Sequence, residues 1–161
     1  MKIIGITGSM ASGKTTVAHL MSNKKYPLFS ADTIVSNLYK NFSFNKILIK
    51  KFKLNSKKKI KEQIKLILKK NSDNLYKLES IIHPFVKKEM INFLKQKNKI
   101  LFLEVPLLIE SKLNKFFDVL VFVSANKNLR LKRYLQKKGD KKIFNLLDKR
   151  QLVQSVKKNI C

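Results

Sequence analysis

Cysteine is almost absent from this chain, because Cys161, the last residue, is the only one among 161 residues. One thiol builds neither a disulfide framework nor a metal site of several thiolates within a single chain. Long apolar runs are absent too, since no stretch reaches the about 18 apolar residues that a membrane-spanning helix needs. The short apolar N-terminus is broken by Gly5 and Thr7, which excludes a signal peptide. We therefore expect a cytoplasmic protein without a membrane segment.

Acidic residues are scarce: 10 Asp and Glu stand against 36 Lys and Arg, giving a net charge of +26. Clustered basic residues are typical of proteins that bind nucleic acids. Here the excess is spread along the chain and is nearly all lysine, with Arg130, Arg133 and Arg150 as the only arginines. Arginine is the usual residue for base and phosphate recognition. The composition therefore favours the residue bias of an AT-rich genome over a polynucleotide site, although a positive field also attracts small polyanions.

Glycine is scarce as well, and three of the four glycines, Gly5, Gly8 and Gly13, lie within nine residues of one another. The segment 8–15 (GSMASGKT) matches the pattern G-x-x-x-x-G-K-[ST] of a phosphate-binding loop. The apolar stretch before it predicts a buried strand, and residues 17–21 after it predict a helix. This context gives the pattern its meaning, so the sequence predicts binding of a nucleoside triphosphate.

The chemistry of the loop explains its residues. A polyphosphate is surrounded by backbone N–H groups at close range, and side chains at Gly8 or Gly13 would block that approach or the turns it needs. Lys14 supplies a positive charge to the β- and γ-phosphates, and the Thr15 hydroxyl suits a Mg²⁺ ligand. The helix that follows points its positive N-terminus at the anion. The residues predicted to bind the nucleotide are Gly8, Met10, Ala11, Ser12, Gly13, Lys14, Thr15 and Thr16.

The rest of the chain predicts an α/β fold with a parallel sheet. The 161 residues, 44% of them hydrophobic, fit one domain with a sizeable core. Residues 99–104 and 118–123 are short and almost continuously apolar, as parallel strands covered on both faces are. A further short strand is predicted within residues 26–30. Because ligands of open α/β sheets bind at the carboxyl ends of the strands, Asp32 and Glu104 are expected beside the phosphate loop.

The region between the second and third predicted strands is helical and too long for an ordinary crossover. Apolar residues recur three or four positions apart in the segments 34–39, 44–52, 60–68 and 75–82. His83-Pro84 is predicted to interrupt this region, with Pro84 in the first turn of a new helix over 85–94. We interpret the whole region as a helical insertion that carries its own face of the active site.

Two amphipathic helices are predicted near the C-terminus, over 128–136 and 143–153, with Gly139 separating them. No repeat and no linker rich in Gly, Pro or Ser divides the chain. We therefore predict one domain in three parts: a core over about 1–34 and 99–130, an insertion over about 35–98, and a lid over about 131–155.

Four landmarks together carry a family resemblance: the phosphate loop with Ser30–Asp32 (SAD) at the second strand, the segment 78–84 (LESIIHP), the segment 105–110 (VPLLIE), and 131–133 (LKR) in the late helix. In order and spacing the chain resembles the dephospho-CoA kinase family over essentially its whole length. The resemblance implies a P-loop NTPase-type three-layer α/β/α fold with a helical substrate-binding insertion and a helical lid. It implies that ATP phosphorylates the ribose 3′-hydroxyl of dephospho-CoA, giving CoA and ADP, with Mg²⁺ as cofactor.

The resemblance also suggests which residues act in the transfer. Asp32 is the candidate for the carboxylate that accepts or orients the 3′-hydroxyl proton, and Lys14 neutralises the phosphates. Arg133 is the candidate lid cation because of its place in the motif, while Arg130 and Arg150 compete for that role. Each arginine could instead be a solvated surface charge, and Asp32 could be a structural helix cap.

Other residues are candidates for metal and acceptor binding. Thr15 and Glu104 are the predicted Mg²⁺ site, with Glu104 acting through a water, although a strand-end charge facing solvent is the alternative. His83 and Glu110 match family positions on the acceptor side, and both are predicted to bind or shape the pocket for dephospho-CoA. Glu110 could equally cap the next helix.

The chain departs from the family pattern in two places. Ser30 stands where the family usually has the first of two aspartates, which puts in doubt any metal or water contact made by that carboxylate. Family members usually continue beyond a segment like 157–161 into a last strand and an Asn-containing loop near adenine, which this sequence lacks. An exposed sheet edge, with low stability or compensating association, is expected to follow.

Three alternatives remain beside this interpretation. Another small-molecule P-loop kinase, for a nucleoside monophosphate or a metabolite alcohol, shares the loop, carboxylate and lid. A GTPase is disfavoured because residues 126–129 (NKNL) lack the aspartate of N-K-x-D. A basic ATPase stimulated by nucleic acid is the third alternative, although no nucleic-acid motif accompanies the charge. The oligomeric state is not predicted.

Overall fold

A parallel four-stranded sheet forms the centre of the computed structural model, which describes residues 1–161. The order across the sheet is β2-β3-β1-β4. The strands are β1 (Lys2–Gly8), β2 (Leu28–Ser30), β3 (Ile100–Glu104) and β4 (Val119–Val123). The parallel α/β sheet expected from the short apolar runs is confirmed.

The register of the strands sets the position of the phosphate loop. Ile6 of β1 pairs with Glu104 on one side and Val121 on the other, and Ser30 of β2 pairs with the same Glu104. All three pairings are parallel, so the carboxyl ends of β1, β2 and β3 meet at one edge of the sheet. The loop leaves β1 between its two neighbours at that edge. Ile6, Leu101 and Leu103 are fully buried, which is why these strands show continuous rather than alternating hydrophobicity.

Eight helices surround or follow these strands. They are α1 (Lys14–Ser22), α2 (Ala31–Leu38), α3 (Phe42–Phe52), α4 (Ile60–Lys70), α5 (Asn74–Leu94), α6 (Lys127–Gln136), α7 (Lys141–Arg150) and α8 (Gln154–Ile160). Side chains fix several of their starts: Asn41 accepts from Phe44 N before α3, and Asp140 accepts from Lys142 N and Ile143 N before α7. Not one of the helices combines the length and apolar character that crossing a bilayer requires.

The chain forms two compact units. The first contains residues 1–32 and 90–161, and therefore the whole sheet, α1 and α6 to α8. The second contains residues 33–89 and has its own buried side chains, which include Phe44, Leu48 and Ile64. In this unit the ring of Phe44 packs edge-on against Phe85, with 5.4 Å between the ring centroids.

Helix α5 corrects one prediction from the sequence. It runs unbroken from Asn74 to Leu94 with Pro84 inside it, so the predicted interruption at His83-Pro84 is wrong. Proline removes one backbone hydrogen bond and costs about 3 kcal/mol in a helix interior. Apolar residues on both sides of it are buried, among them Leu78 and Met90, and this burial holds both halves in one helix.

The C-terminal helices differ from prediction as well. A single helix was expected over 143–153, but α7 ends at Arg150, Gln151 is extended with φ −89° and ψ 145°, and α8 follows. The break lets the Gln151 side chain reach Met10 N and lets Leu152 N reach the Glu110 carboxylate. Polar partners elsewhere in the fold, invisible to helical periodicity, therefore decide where α7 stops.

Candidate active site

The two motif glycines of the phosphate loop are needed for different reasons. A Cβ at Gly8 would collide with the carbonyl oxygen of Val123 in β4, because the loop leaves the sheet in close contact with that strand. Gly13 instead has φ +102°, a left-handed conformation that L side chains rarely adopt. Ala11 between them also has a positive φ of 59°, which costs a non-glycine residue about 1 kcal/mol. The loop is thus held in a shape that its own local preferences oppose.

Several donors in the loop fit an anion. The Ser12 hydroxyl is buried and has no hydrogen-bond partner in the protein. Helix α1 begins at Lys14, within the loop motif, and no side chain caps its N-terminus. The Lys14 ammonium is buried, with its Nζ 3.9 Å from Asp32 Oδ2. Unsatisfied N–H and O–H donors at a helix N-terminus are what a phosphate group satisfies, so these residues fit a triphosphate.

Glu104 connects the loop to two strands of the sheet. Its fully buried carboxylate accepts a hydrogen bond from Thr15 Oγ1 at 2.6 Å and another from Ser30 Oγ at 2.9 Å. The structure therefore brings together Thr15 and Glu104, the two residues predicted to hold Mg²⁺. It also shows that Glu104 does not face solvent, which was the alternative considered from the sequence. Sequence reasoning noted Ser30 only as a departure from the family and missed this contact, although the register of β2 and β3 pairs the two residues.

The oxygen atoms of Thr15 and Glu104 suit Mg²⁺, which needs few protein ligands when it also binds phosphates. No group of three or more His, Cys, Asp or Glu side chains occurs that could hold a metal ion. Mg²⁺ in phosphoryl-transfer sites is bound by one or two protein oxygens together with phosphates and waters. The Thr15 hydroxyl and the Glu104 carboxylate fit such a site.

Asp32 lies in the first turn of α2, beside the Lys14 ammonium. Burial raises the pKa of its carboxyl above the ordinary value, the Lys14 charge opposes this, and the nearby Glu104 charge adds to it. The side chain remains 62% exposed by surface area, so solvent moderates the shift. The arrangement places a carboxylate with an accessible oxygen next to the cation expected at the phosphates. In the first turn of α2, the carboxylate is also stabilised by the positive N-terminal end of the helix dipole.

The structure separates the arginines by environment. Arg133 on α6 is exposed, and its Nη1 donates to the backbone carbonyl of Ser12 at 3.1 Å, directly over the loop. Arg130, one turn earlier, is buried and bonded within the protein: its Nη1 lies 2.7 Å from Asp148 Oδ1, and its Nε donates to Ala125 O. Arg150 ends α7. Arg130 also reaches the loop, with its Nη1 3.4 Å from Met10 O, but Arg133 is the exposed one of these two loop-contacting arginines.

Asp148 on α7 is a residue that sequence reasoning missed. Its carboxylate pairs with Arg130 and, at 3.2 Å, with the Lys127 ammonium. Burial by itself raises the pKa of this carboxyl, but the hydrogen bonds and charges of Arg130 and Lys127 outweigh burial and lower it. No sequence signal marks this pair, because its members lie 18 residues apart on different helices.

The two candidate acceptor residues lie in different surroundings. Glu110 Oε1 is 2.7 Å from the Nζ of Lys157, which is fully buried, and accepts from Leu152 N at 2.9 Å. Its contacts are therefore with the C-terminal segment around α8. His83 is exposed on α5, in the unit of residues 33–89. The structure leaves the predicted role of both residues in acceptor binding as a prediction.

Comparison with known proteins gives a consistent result. Residues 2–155 match the family model described as dephospho-CoA kinase. A dephospho-CoA kinase of Rickettsia typhi is 32% identical over 168 residues, covering 98% of this chain and 83% of the relative. One from Bartonella henselae is 35% identical over 166 residues, covering 98% and 85%.

Solved structures agree with the sequence comparison. The crystal structure of TT1252 from Thermus thermophilus matches with a TM-score of 0.77 and 25% identity, over 98% of this chain and 84% of that one. These matches cover nearly the whole chain, and the chain has the phosphate loop with the carboxylates of Asp32 and Glu104 beside it. The chain therefore belongs to the dephospho-CoA kinase family.

Proposed function

We propose that this chain carries out the reaction of its family, transferring the γ-phosphate of ATP to the ribose 3′-hydroxyl of dephospho-CoA to give CoA and ADP, in the cytoplasm. One observation supports this most: Lys14, Asp32 and the Thr15–Glu104 pair converge at the phosphate loop. Phosphoryl transfer needs a phosphate cradle, a metal, a group that orients the attacking hydroxyl, and charge neutralisation. We assign the cradle to the loop, the metal site to Thr15 and Glu104, and the orienting group to Asp32.

The loop residues bind and orient the donor nucleotide. The uncapped N-terminus of α1, the buried Lys14 ammonium and the unpartnered Ser12 hydroxyl supply donors for the triphosphate. Thr15 and Glu104 would hold Mg²⁺, which when bound neutralises charge on the phosphates. Ser30, through its hydrogen bond to Glu104, holds that carboxylate toward Thr15. The Ser30 hydroxyl thus occupies the position where the family usually has a carboxylate, and it orients Glu104.

Asp32 and Arg133 act at the transferred group. As the bond from the 3′-oxygen to the γ-phosphorus forms and the bond from that phosphorus to the bridging oxygen of ADP breaks, the hydroxyl proton passes to an Asp32 carboxylate oxygen and then to water. Because the pKa of Asp32 is raised toward neutral pH, its carboxylate is a better proton acceptor than an ordinary aspartate. Arg133, over the loop at Ser12, supplies positive charge to the γ-phosphate.

The test is ADP release with Mg-ATP and a panel of acceptors: dephospho-CoA, AMP, CMP and a polynucleotide. We expect turnover with dephospho-CoA alone, and its loss in Lys14→Ala and Asp32→Asn. Asp73→Asn, which neutralises an exposed carboxylate in the other unit, is the matched control and should keep the parent rate. Turnover with AMP or CMP instead would identify another small-molecule kinase, and stimulation by polynucleotide would favour the ATPase.

A further inference from the structure

We propose that Gln151 is a positioning residue for the phosphate loop: its side-chain oxygen Oε1 accepts a hydrogen bond from Met10 N at 3.1 Å and holds the loop in its phosphate-binding shape. The effect of Gln151 on catalysis rests on the proposed function, whereas its effect on the conformation of the loop does not. The two residues are 141 positions apart, so the contact joins the end of the chain to its beginning.

Met10 is held on both sides of its backbone. Its N–H is bound by Gln151, and its carbonyl accepts a longer hydrogen bond of 3.4 Å from Arg130 Nη1. Arg130 is itself fixed by Asp148 and by the Ala125 carbonyl. Thus the peptide groups on either side of Met10 are tied to side chains that are anchored elsewhere in the fold.

These contacts fall where the loop most needs support. Ala11, directly after Met10, has φ 59°, and Ser12 beyond it has its carbonyl bound by Arg133. A positive φ at alanine is unfavourable by itself and persists only where surrounding contacts over-determine it. Residues 10–12, which we call the loop apex, therefore owe their conformation to side chains from α6 and from the turn after α7.

The advantage of such an arrangement is preorganisation. A loop ordered before its ligand arrives loses less conformational entropy on binding, so the same phosphate contacts give higher affinity. Arg130 and Gln151 also stand at the two ends of the segment that contains α7 and most of α6, so both ends of that segment are tied to one loop residue. Loosening Gln151 should therefore act on the donor nucleotide and spare the acceptor.

The substitution that tests this is Gln151→Met, which keeps the length of the side chain and removes its acceptor. Gln96→Met is the matched control, because Gln96 is exposed in the segment after α5 and lies outside the phosphate loop and α6 to α8. In the protein without nucleotide, hydrogen exchange at the Met10 amide should be about fivefold faster in Gln151→Met than in the control, as expected for the loss of one neutral hydrogen bond. Gln151→Glu, which keeps an acceptor oxygen, should restore slow exchange.

Kinetics and nucleotide binding give the second readout. The KM for ATP should rise about fivefold in Gln151→Met, with the KM for dephospho-CoA within twofold of the control. Binding of an ATP analogue measures the same loss if dephospho-CoA proves not to be the acceptor, so the two proposals fail separately. Unchanged Met10 exchange, or equal rises in both KM values, would overturn the role of Gln151.

Discussion

Glu104 is the residue through which we propose that this site holds its metal. It is fully buried, yet its carboxylate is satisfied by two hydroxyl groups, from Thr15 and Ser30, rather than by a cation. A buried carboxylate without a positive partner is costly unless an ion or strong hydrogen bonds offset its charge. We therefore propose that this carboxylate is available to a divalent cation bound at Thr15.

Replacing Glu104 by glutamine should separate this charge from the packing. Gln keeps the shape, one acceptor oxygen and a donor that either hydroxyl can accept. We expect the Mg²⁺ concentration for half-maximal activity to rise at least about tenfold, in the range seen when groups around a metal are altered. A Mg²⁺ titration of ADP release measures this. The exposed Glu62→Gln is the control, and an unchanged Mg²⁺ requirement in Glu104→Gln would refute the metal role.

Asp148 gives a prediction about pH and stability. Because its folded pKa is lowered by Arg130 and Lys127, its contribution to stability is present above the ordinary carboxyl pKa and is lost as pH falls through the lower, folded value. Asp148→Asn should lower the free energy of unfolding by about 3–5 kcal/mol at pH 7, since it leaves the buried Arg130 charge without its charged partner. Urea denaturation at pH 7 and in the acid range measures this. The variant should lose less stability than the parent on acidification, and parallel losses would contradict the assignment.

At the scale of elements, β1 carries two glycines whose replacement should differ in effect. The atoms nearest to a Cβ at Gly5 belong to side chains, those of Phe117, Leu108 and Leu120 at 2.7–2.9 Å, which can shift more easily than backbone. A Cβ at Gly8 would meet the backbone of β4, which cannot shift without moving the strand. We expect Gly5→Ala to cost about 1–3 kcal/mol with an unchanged KM for ATP. Gly8→Ala should cost more stability and also weaken ATP binding. Equal losses from both would contradict this reading of the loop exit.

The elements also show what the sequence could and could not predict. Continuous apolar runs identified β3 and β4, and the glycine pattern located the loop between β1 and α1, because both signals are local. The continuous α5 was missed because tertiary burial overrode the local effect of Pro84. The end of α7 was missed because its cause lies at Met10 and Glu110, far away in the chain.

The same division applies to the site. The loop motif predicted Lys14 and Thr15, and strand ends predicted Asp32 and Glu104, and the structure places these side chains together at the loop. Gln151 and Asp148 could not be predicted, since a polar residue at a helix end carries no signal of a partner more than a hundred residues away, or on a neighbouring helix. Their roles appear only once the helices are packed.

For the whole molecule, the net charge of +26 should govern the response to salt. Like charges repel one another in the compact state, and ionic strength screens that repulsion. We expect Tm to rise between about 0.05 and 0.5 M NaCl, while the KM values for ATP and dephospho-CoA also rise, because the attraction of polyanionic substrates is screened too. Differential scanning calorimetry and initial rates across this range measure both. A Tm that falls with salt would show that specific ion pairs outweigh the repulsion.

The most direct test of the proposed reaction follows the phosphate itself. We would mix the protein with Mg-ATP and dephospho-CoA and record ³¹P NMR spectra as the reaction proceeds, with Lys14→Ala in parallel. We expect a new phosphomonoester signal on the 3′-position of dephospho-CoA that grows with ADP in equal amounts, and neither signal in Lys14→Ala. ADP accompanied by inorganic phosphate and no 3′-phosphomonoester would mean that the chain hydrolyses ATP and is not a kinase for this acceptor.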